Sequence, residues 1–127
     1  MRATLWMLTV LAIFMAALSA ASTWLCQDSA RTFGQEAATM QFHLDQGDWQ
    51  GLQKTLEHVS ARWEAREGAL QMMISHRETD DVSTALNKLQ AGIAAQDQSL
   101  CRWALAEFAE SCRHLYHQDA LTLTNII

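Results

Sequence analysis

The chain has 127 residues and a formal net charge of −5; half of its residues are hydrophobic, and it contains no proline. The length allows one domain of ordinary size, and the hydrophobic content excludes an intrinsically disordered chain. The acidic charge argues against a nucleic-acid partner, which needs clustered Lys and Arg, and the lack of proline favours continuous helix over a β-sandwich or barrel.

The first part of the chain is apolar and uncharged. No charged residue occurs in 3–27, and residues 5–18 are almost all aliphatic or aromatic. A helix of about 20 such residues crosses the hydrocarbon core of a bilayer. Trp6 and Trp24 lie near the two ends of this run, where amphipathic rings prefer the headgroup region. The pattern therefore predicts a transmembrane helix.

The charges flanking the run predict its orientation. Arg2 is the only charged side chain before it, so the positive-inside tendency places the N-terminus in the cytoplasm. We therefore expect residues 1–27 to be a membrane anchor that contacts lipid through residues 3–25. Residues 28–127, which hold all fourteen acids and eight of the nine Lys and Arg, are expected to form a domain outside the cytoplasm.

Two other interpretations of the apolar run stay open. The segment Ser19-Ala20-Ala21 has the small-x-small pattern that signal peptidase favours, so the run is also compatible with a cleaved signal peptide. A helix buried within a soluble complex is the third interpretation. Both the anchor and the signal peptide place the remainder of the chain outside the cytoplasmic membrane.

Four further segments show helical periodicity. The first, at 28–44, ends at Asp45-Gln46-Gly47-Asp48, where Gly47 suits a left-handed position and Asp48 suits an N-cap. The apolar face of this segment consists of Phe33, Ala37, Met40 and Leu44. Short polar breaks between the segments are typical of antiparallel packing. The sequence therefore predicts an all-α fold, a transmembrane helix followed by an up-and-down bundle of about four helices.

The second helix is expected to start at Trp49 and to run to about Arg77, with a soft point at Gly68. Its apolar stripe consists of Trp49, Leu52, Leu56, Val59 and Trp63, and the stripe resumes at Leu70, Met73 and Ile74. Thr79, Asp80 and Asp81 are expected to cap the third helix. The stripes of the last two helices are Val82, Ala85, Leu86, Leu89 and Ile93, then Leu100, Ala104, Phe108, Cys112 and Leu115.

One candidate metal site lies near the C-terminus. His114 and His117 stand three residues apart, so a helix places both imidazoles on one face at about the separation that a metal needs. A tetrahedral site needs three or four convergent ligands, however, and Cys112 belongs to the apolar stripe. Two surface histidines near a helix C-terminus are the simpler interpretation.

A second candidate site is the densest polar cluster of the chain. His76 is followed by Glu78 and Asp80, a combination compatible with ligand binding or with a general base. Trp63 is the aromatic side chain that could line such a ligand site, although tryptophan at helical spacing is more often core. The acids are also well placed to cap a helix, and His76 could meet the last carbonyls of the helix before it.

The remaining chemistry is sparse. Cys101 and Cys112 cannot form a disulfide within one straight helix, because eleven residues span about 16 Å, so we expect buried thiols. The pairing of Cys26 stays open. The sequence contains no nucleophile elbow, no phosphate-binding glycine loop and no His-Glu-x-x-His motif. We therefore expect no enzymatic activity and no cofactor.

Several landmarks together resemble one family of short, N-terminally anchored bacterial proteins, the domain-of-unknown-function family numbered four-three-six-three. After the N-terminal anchor, these landmarks are Gly47-Asp48-Trp49, Trp63, Ile74-Ser75-His76-Arg77-Glu78 with Asp80 and Asp81, Leu86 and Leu89, and the ending Leu121-Thr122-Leu123-Thr124-Asn125-Ile126-Ile127. Thr124 departs from the acid expected before Asn125. The resemblance implies a helical domain behind one anchor, carries no catalytic residues, and suggests an accessory role beside a multi-spanning membrane protein.

Two functions of different classes are consistent with these observations. The first is a non-enzymatic interaction module for another membrane or envelope protein. The alternative is an extracytoplasmic sensor or binding domain for a small ligand or a metal, using His76 with Glu78 or His114 with His117.

Overall fold

Four α-helices make up the computed structural model, which describes the backbone of residues 1–126 and the side chains of residues 1–115. They are α1 (Arg2–Asp45), α2 (Trp49–Gln71), α3 (His76–Ala94) and α4 (Gln98–Ile126). The connections are three or four residues long, which makes consecutive helices antiparallel neighbours. Each helix packs on two others, in the ring α1–α2–α3–α4–α1. The predicted all-α bundle is confirmed, and residues 1–126 contain no strand.

Helix α1 contains both the predicted anchor and the first predicted helix of the bundle. Every residue from Met1 to Ala21 is exposed, whereas the last twenty residues of α1 form one wall of the bundle. The helix continues without a break through the predicted boundary between residues 27 and 28. Within the described part of the chain, α1 is the one helix whose length and composition suffice to cross a membrane.

The buried face of α1 follows the predicted spacing. Its buried residues recur every three or four positions, which places them on one side of the helix: Cys26, Ser29, Phe33, Ala37, Met40 and Leu44. Phe33 packs edge-to-face on Trp63 of α2 and on Phe108 of α4, with ring centroids 5.7 and 6.4 Å apart. This aromatic cluster forms the middle of the core.

The turn between α1 and α2 has the predicted chemistry. Gly47 adopts a left-handed conformation with φ of 69°, which a side chain would make unfavourable. Asp48 caps α2, and its Oδ1 accepts a hydrogen bond of 2.9 Å from the backbone N–H of Gly51. His43 Nδ1 lies 3.1 Å from Asp48 Oδ2. The backbone hydrogen bond and the neighbouring His43 hold the pKa of Asp48 below its usual value.

The boundary between α2 and α3 differs from the prediction. Helix α2 ends at Gln71 rather than at Arg77, and α3 begins at His76, several residues before the predicted cap. Ser75 is the N-cap, and its hydroxyl accepts a long hydrogen bond of 3.4 Å from the backbone N–H of Glu78. A Ser followed three residues later by Glu is the signature of a capping box, which outweighs the acids farther along.

This boundary also overturns two roles assigned to residues of the cluster. Thr79 does not cap α3; it is buried inside the helix, and its hydroxyl donates to the carbonyl of His76 at 2.9 Å. His76 belongs to the first turn of α3 and therefore does not close α2. Gly68, the predicted soft point, lies inside an unbroken stretch of α2.

Candidate functional site

A groove between α3 and α4 brings together two residues from separate predicted sites. Glu78, in the first turn of α3, is only 16% exposed, and its Oε2 lies 4.0 Å from Nδ1 of His114 on α4. The other ring nitrogen, Nε2, lies 3.3 Å from Oε1 of Glu110, one turn earlier on α4. The imidazole of His114 thus lies between the carboxylates of Glu78 and Glu110.

The groove continues along the two helices to a second polar cluster. The ammonium group of Lys88 on α3 donates to both carboxylate oxygens of Glu107 on α4, at 3.1 and 2.9 Å. The indole N–H of Trp103 donates to Oε1 of Glu107 at 2.6 Å. These hydrogen bonds, the one from Lys88 first, hold the pKa of Glu107 below its usual value. Glu107 therefore stays ionised at neutral pH.

The lining of the groove alternates in charge. Its volume is about 610 Å³, and acidic, basic and small polar side chains line it together, among them Asp81, Thr84, Lys88, Glu107, Glu110 and His114. Its charged side chains could pair with a small polar molecule that carries both charges. Among residues whose side chains are described, no group of three or more His, Cys, Asp or Glu is placed to hold a metal ion.

The predicted metal pair is only half described. His114 has the two acidic neighbours given above, whereas the side chain of His117 lies outside the described residues. Of the two histidines, only His114 is therefore described as part of the candidate site.

The four residues predicted to bind a ligand do not converge. His76 and Asp80 are exposed on α3, whereas Glu78 turns toward α4. Trp63 is buried in the core and donates its indole N–H to Ser83 Oγ at 2.9 Å. Ser83 follows His76 by seven residues of helix, about 10 Å along the axis. Trp63 and the polar cluster therefore lie at different levels of the bundle.

Trp63 instead starts a short chain of hydrogen bonds between α2 and α3. Ser83 accepts from the indole and donates to Oε1 of Glu67 at 3.2 Å; Gln71 donates to the same oxygen at 3.3 Å. A pocket of about 240 Å³ opens beside this chain. Every donor in it is satisfied by a protein group, so its evident role is to join the two helices.

Two arginines of α2 reach side chains of α1. Arg66 Nη2 lies 3.0 Å from Asp28 Oδ2, and its Nη1 donates to the buried hydroxyl of Ser29 at 3.1 Å. The same guanidinium stands 5.9 Å from the centroid of the Phe33 ring. Arg62 pairs with Glu36 at 3.1 Å. Ser29 lies in register with the apolar stripe of α1, the one signal in the sequence for a polar contact there.

The cysteines have the environment that the sequence predicts. Cys101 and Cys112 are buried reduced thiols on α4, and Cys26 of α1 is buried as well. Burial raises the pKa of the Cys101 thiol, with a further contribution from Asp97, and raises the pKa of Cys112 to about 12. The reactive thiolate is therefore scarce at both positions of α4.

Comparison with known proteins bears on the whole bundle. No curated protein matches the chain, and no solved structure does. Residues 22–126 match a family described as a domain of unknown function, DUF4363. The match covers α2, α3, α4 and the bundle half of α1, and it leaves out most of the exposed apolar half. The chain belongs to the DUF4363 family, as the resemblance of its landmarks predicts.

Proposed function

We propose that this protein is a single-pass membrane protein whose bundle lies outside the cytoplasm and binds another membrane or envelope protein. In this proposal, residues 1–27 are the anchor, residues 28–127 form the extracytoplasmic domain, and the N-terminus stays in the cytoplasm. The observation that carries the proposal is the division of α1 into an apolar half whose residues are all exposed and a half built into the bundle.

The exposed half of α1 has the dimensions of a membrane span. Its large apolar side chains are exposed on every face of the helix. Trp6 and Trp24 are separated by eighteen residues, about 27 Å of helix, close to the thickness of the hydrocarbon core. In water this surface would be unfavourable by about 25 cal/mol for each Å². Lipid is the solvent that suits it.

Retention of the anchor is favoured over cleavage by the continuity of α1. Ser19-Ala20-Ala21 lies inside the helix, and no glycine or proline interrupts α1 before Gly34. A peptidase site would have to leave the helix to be cut, and this segment contains none of the residues that usually end helices. Arg2, at the start of α1, supports a cytoplasmic N-terminus.

Binding of a partner is supported by aromatic side chains at the end of the bundle far from the anchor. Trp103 of α4 is 68% exposed, and Phe42 of α1 is exposed as well. Both lie within one helical turn of the ion pair between Arg102 and Asp45, which joins the two helices at 3.2 Å. Aromatic side chains are enriched at protein interfaces. The hydrogen bond from Trp103 to Glu107 holds the indole in place, which lowers the entropy lost on binding.

The anchor is tested by alkaline extraction and by protease protection of the full chain in native membranes. We expect the chain to stay in the membrane at its full length and the bundle to be accessible only from the outer side. A shorter soluble chain that begins near residue 22 would contradict the anchor and would favour the signal peptide.

The partner is tested by a photo-crosslinking amino acid placed at position 103 in native membranes. Position 64 is the matched control, because Glu64 of α2 is exposed but has no exposed aromatic side chain on its helix. We expect one adduct of defined mass from position 103 at native expression, and none from position 64. Equal patterns from both positions, or none from either, would contradict the proposal.

The groove between α3 and α4 favours one alternative, a sensor of a small polar ligand. Its specific observation is the approach of Glu78 on α3 to His114 on α4, which lines the groove. Thermal unfolding of the full chain in detergent, with free amino acids and with Zn²⁺ as probes, tests this function. A rise in Tm that is lost in both Glu78→Gln and His114→Ala would support it, and an unchanged Tm with every probe would count against it.

A further inference from the structure

We propose that the turn between α2 and α3 lies in the outer headgroup layer of the bilayer, so that the bundle contacts lipid beside the anchor as well as through it. The turn surface consists of Met72, Met73 and Ile74. This inference rests on the proposed membrane span of α1. It adds a second lipid contact, made by the domain itself.

The turn surface is unusually apolar for a connection between helices. Met72 is 89% exposed and Met73 is 43% exposed, while Ile74 packs partly against the core. Connections of soluble proteins are usually polar because both their side chains and their backbone meet water. Methionine side chains are flexible and polarisable, which suits an irregular apolar environment.

The level of the turn follows from the contacts between α1 and α2. Arg66 pairs with Asp28, and Trp63 packs on Phe33, so the two helices run antiparallel in a known register. Met72 lies six residues beyond Arg66, about 9 Å farther along α2. The same distance from Asp28 toward the N-terminus of α1 reaches residue 22. The turn therefore lies level with residues 22–24, where the apolar run leaves the membrane.

Trp24 marks the same level on α1. Its side chain is exposed, and tryptophan prefers the headgroup region. The turn brings Met72 and Met73 to this layer from a second helix. The next residues, His76 and Arg77, are exposed, and no acid occurs between Met72 and Arg77. Apolar side chains followed by basic ones are the chemistry that a phospholipid surface accepts.

The test measures the depth of a nitroxide label in the full chain, reconstituted in vesicles of phosphatidylcholine and phosphatidylglycerol. Met72→Cys carries the label at the turn surface. Gln50→Cys, exposed at the opposite end of the bundle, is the matched control in water, and Leu11→Cys is the control within the anchor. The native thiols are buried, so we expect them to take up little label. The unsubstituted chain measures this background.

Collision with O₂, which concentrates in lipid, is compared with collision with a water-soluble nickel complex. We expect O₂ to dominate at positions 72 and 11 and the nickel complex to dominate at position 50. Dominance of the nickel complex at 72, with O₂ dominant at 11, would overturn the second lipid contact and leave the anchor intact. Dominance of the nickel complex at 11 would overturn the anchor, and the inference with it.

Discussion

The two halves of α1 are equally helical and are apolar in different ways. The first half is apolar and exposed on every face, whereas the second half has one buried apolar stripe and charged or polar residues elsewhere. A helix that is hydrophobic on every face is stable in lipid or in a protein interior. A helix with one apolar stripe is stable when that stripe packs against a core and its other faces meet water. The difference shows that arrangement, rather than apolar content, decides which solvent a helix suits.

The largest expected effect compares one residue type in the two halves. Phe33→Ala removes a ring in contact with Trp63 and Phe108, and we expect a loss of about 3–5 kcal/mol in the free energy of unfolding of the bundle. Phe14→Ala, in the exposed half, is expected to leave that free energy unchanged. Denaturant unfolding in detergent measures both. Equal losses would mean that the two halves belong to one packed unit.

The next effect compares two glycines and sharpens what distinguishes a packed helix face from an open one. A Cβ at Gly92 would lie 2.8 Å from Cys101 Sγ and 3.2 Å from its backbone nitrogen, so Gly92→Ala is expected to lower the Tm and to destabilise by about 1–3 kcal/mol. A Cβ at Gly34, on the outer face of α1, would meet nothing within 4 Å. Gly34→Ala is expected to stabilise by up to about 1 kcal/mol. Destabilisation by Gly34→Ala would show that this face is covered.

A smaller effect concerns the polar end of the bundle half of α1. Arg66→Ala leaves the buried Ser29 without its donor and leaves Asp28 with Arg31 as its remaining partner, and we expect a loss of about 1–2 kcal/mol. The figure is modest because the Ser29 hydroxyl can still donate to a carbonyl of its own helix. Arg62→Ala, which breaks a more exposed pair, is expected to change stability by less than about 1 kcal/mol. Equal unfolding curves for the two variants would contradict a special role of Arg66.

The smallest effect is a pH dependence confined to the bundle. Because its pKa is lowered by folding, Glu107 stabilises the folded state above the usual glutamate pKa of about 4.3, and this contribution is lost as the pH falls below it. We expect Glu107→Gln to reduce the difference in unfolding free energy between neutral and acidic pH by about 0.2–1 kcal/mol. The unsubstituted chain, measured at the same two pH values, is the control. An unaltered pH profile in Glu107→Gln would refute the assignment.

Apolar spacing predicted most of the fold correctly, since residues such as Phe33, Leu56, Leu89 and Phe108 recur at the period of a helix and share one face. The predicted boundary between α2 and α3 was wrong because it relied on the same apolar spacing. Leu70 and Ile74 keep the four-residue spacing of the apolar stripe across the turn, and both contact the core. The spacing therefore does not show where α2 ends. The local signal for the start of α3 is Ser75, three residues before Glu78, because this spacing is typical of a capping box.

The candidate groove was less accessible to prediction. Glu78 and His114 are thirty-six residues apart, and only the register of α3 on α4 brings them together. Grouping His76, Glu78 and Asp80 by sequence proximity ignored helical geometry, since consecutive positions point in different directions around the axis. Arg66 was also missed, for a different reason. It lies on a charged face of α2, but its long side chain reaches the buried hydroxyl of Ser29.

Because α1 is one unbroken helix, it fixes both the rotation of the bundle about the helix axis and its distance along that axis from the first half of α1. A helix without a hinge transmits rotation, so in the proposed membrane topology the rotation of the first half about its axis sets the direction in which Trp103 and Phe42 face along the membrane surface. One residue inserted between the halves would turn the bundle by about 100° and raise it by about 1.5 Å. Insertions of one to four residues would therefore vary the orientation of the domain through a full turn, with little change in its distance from the lipid.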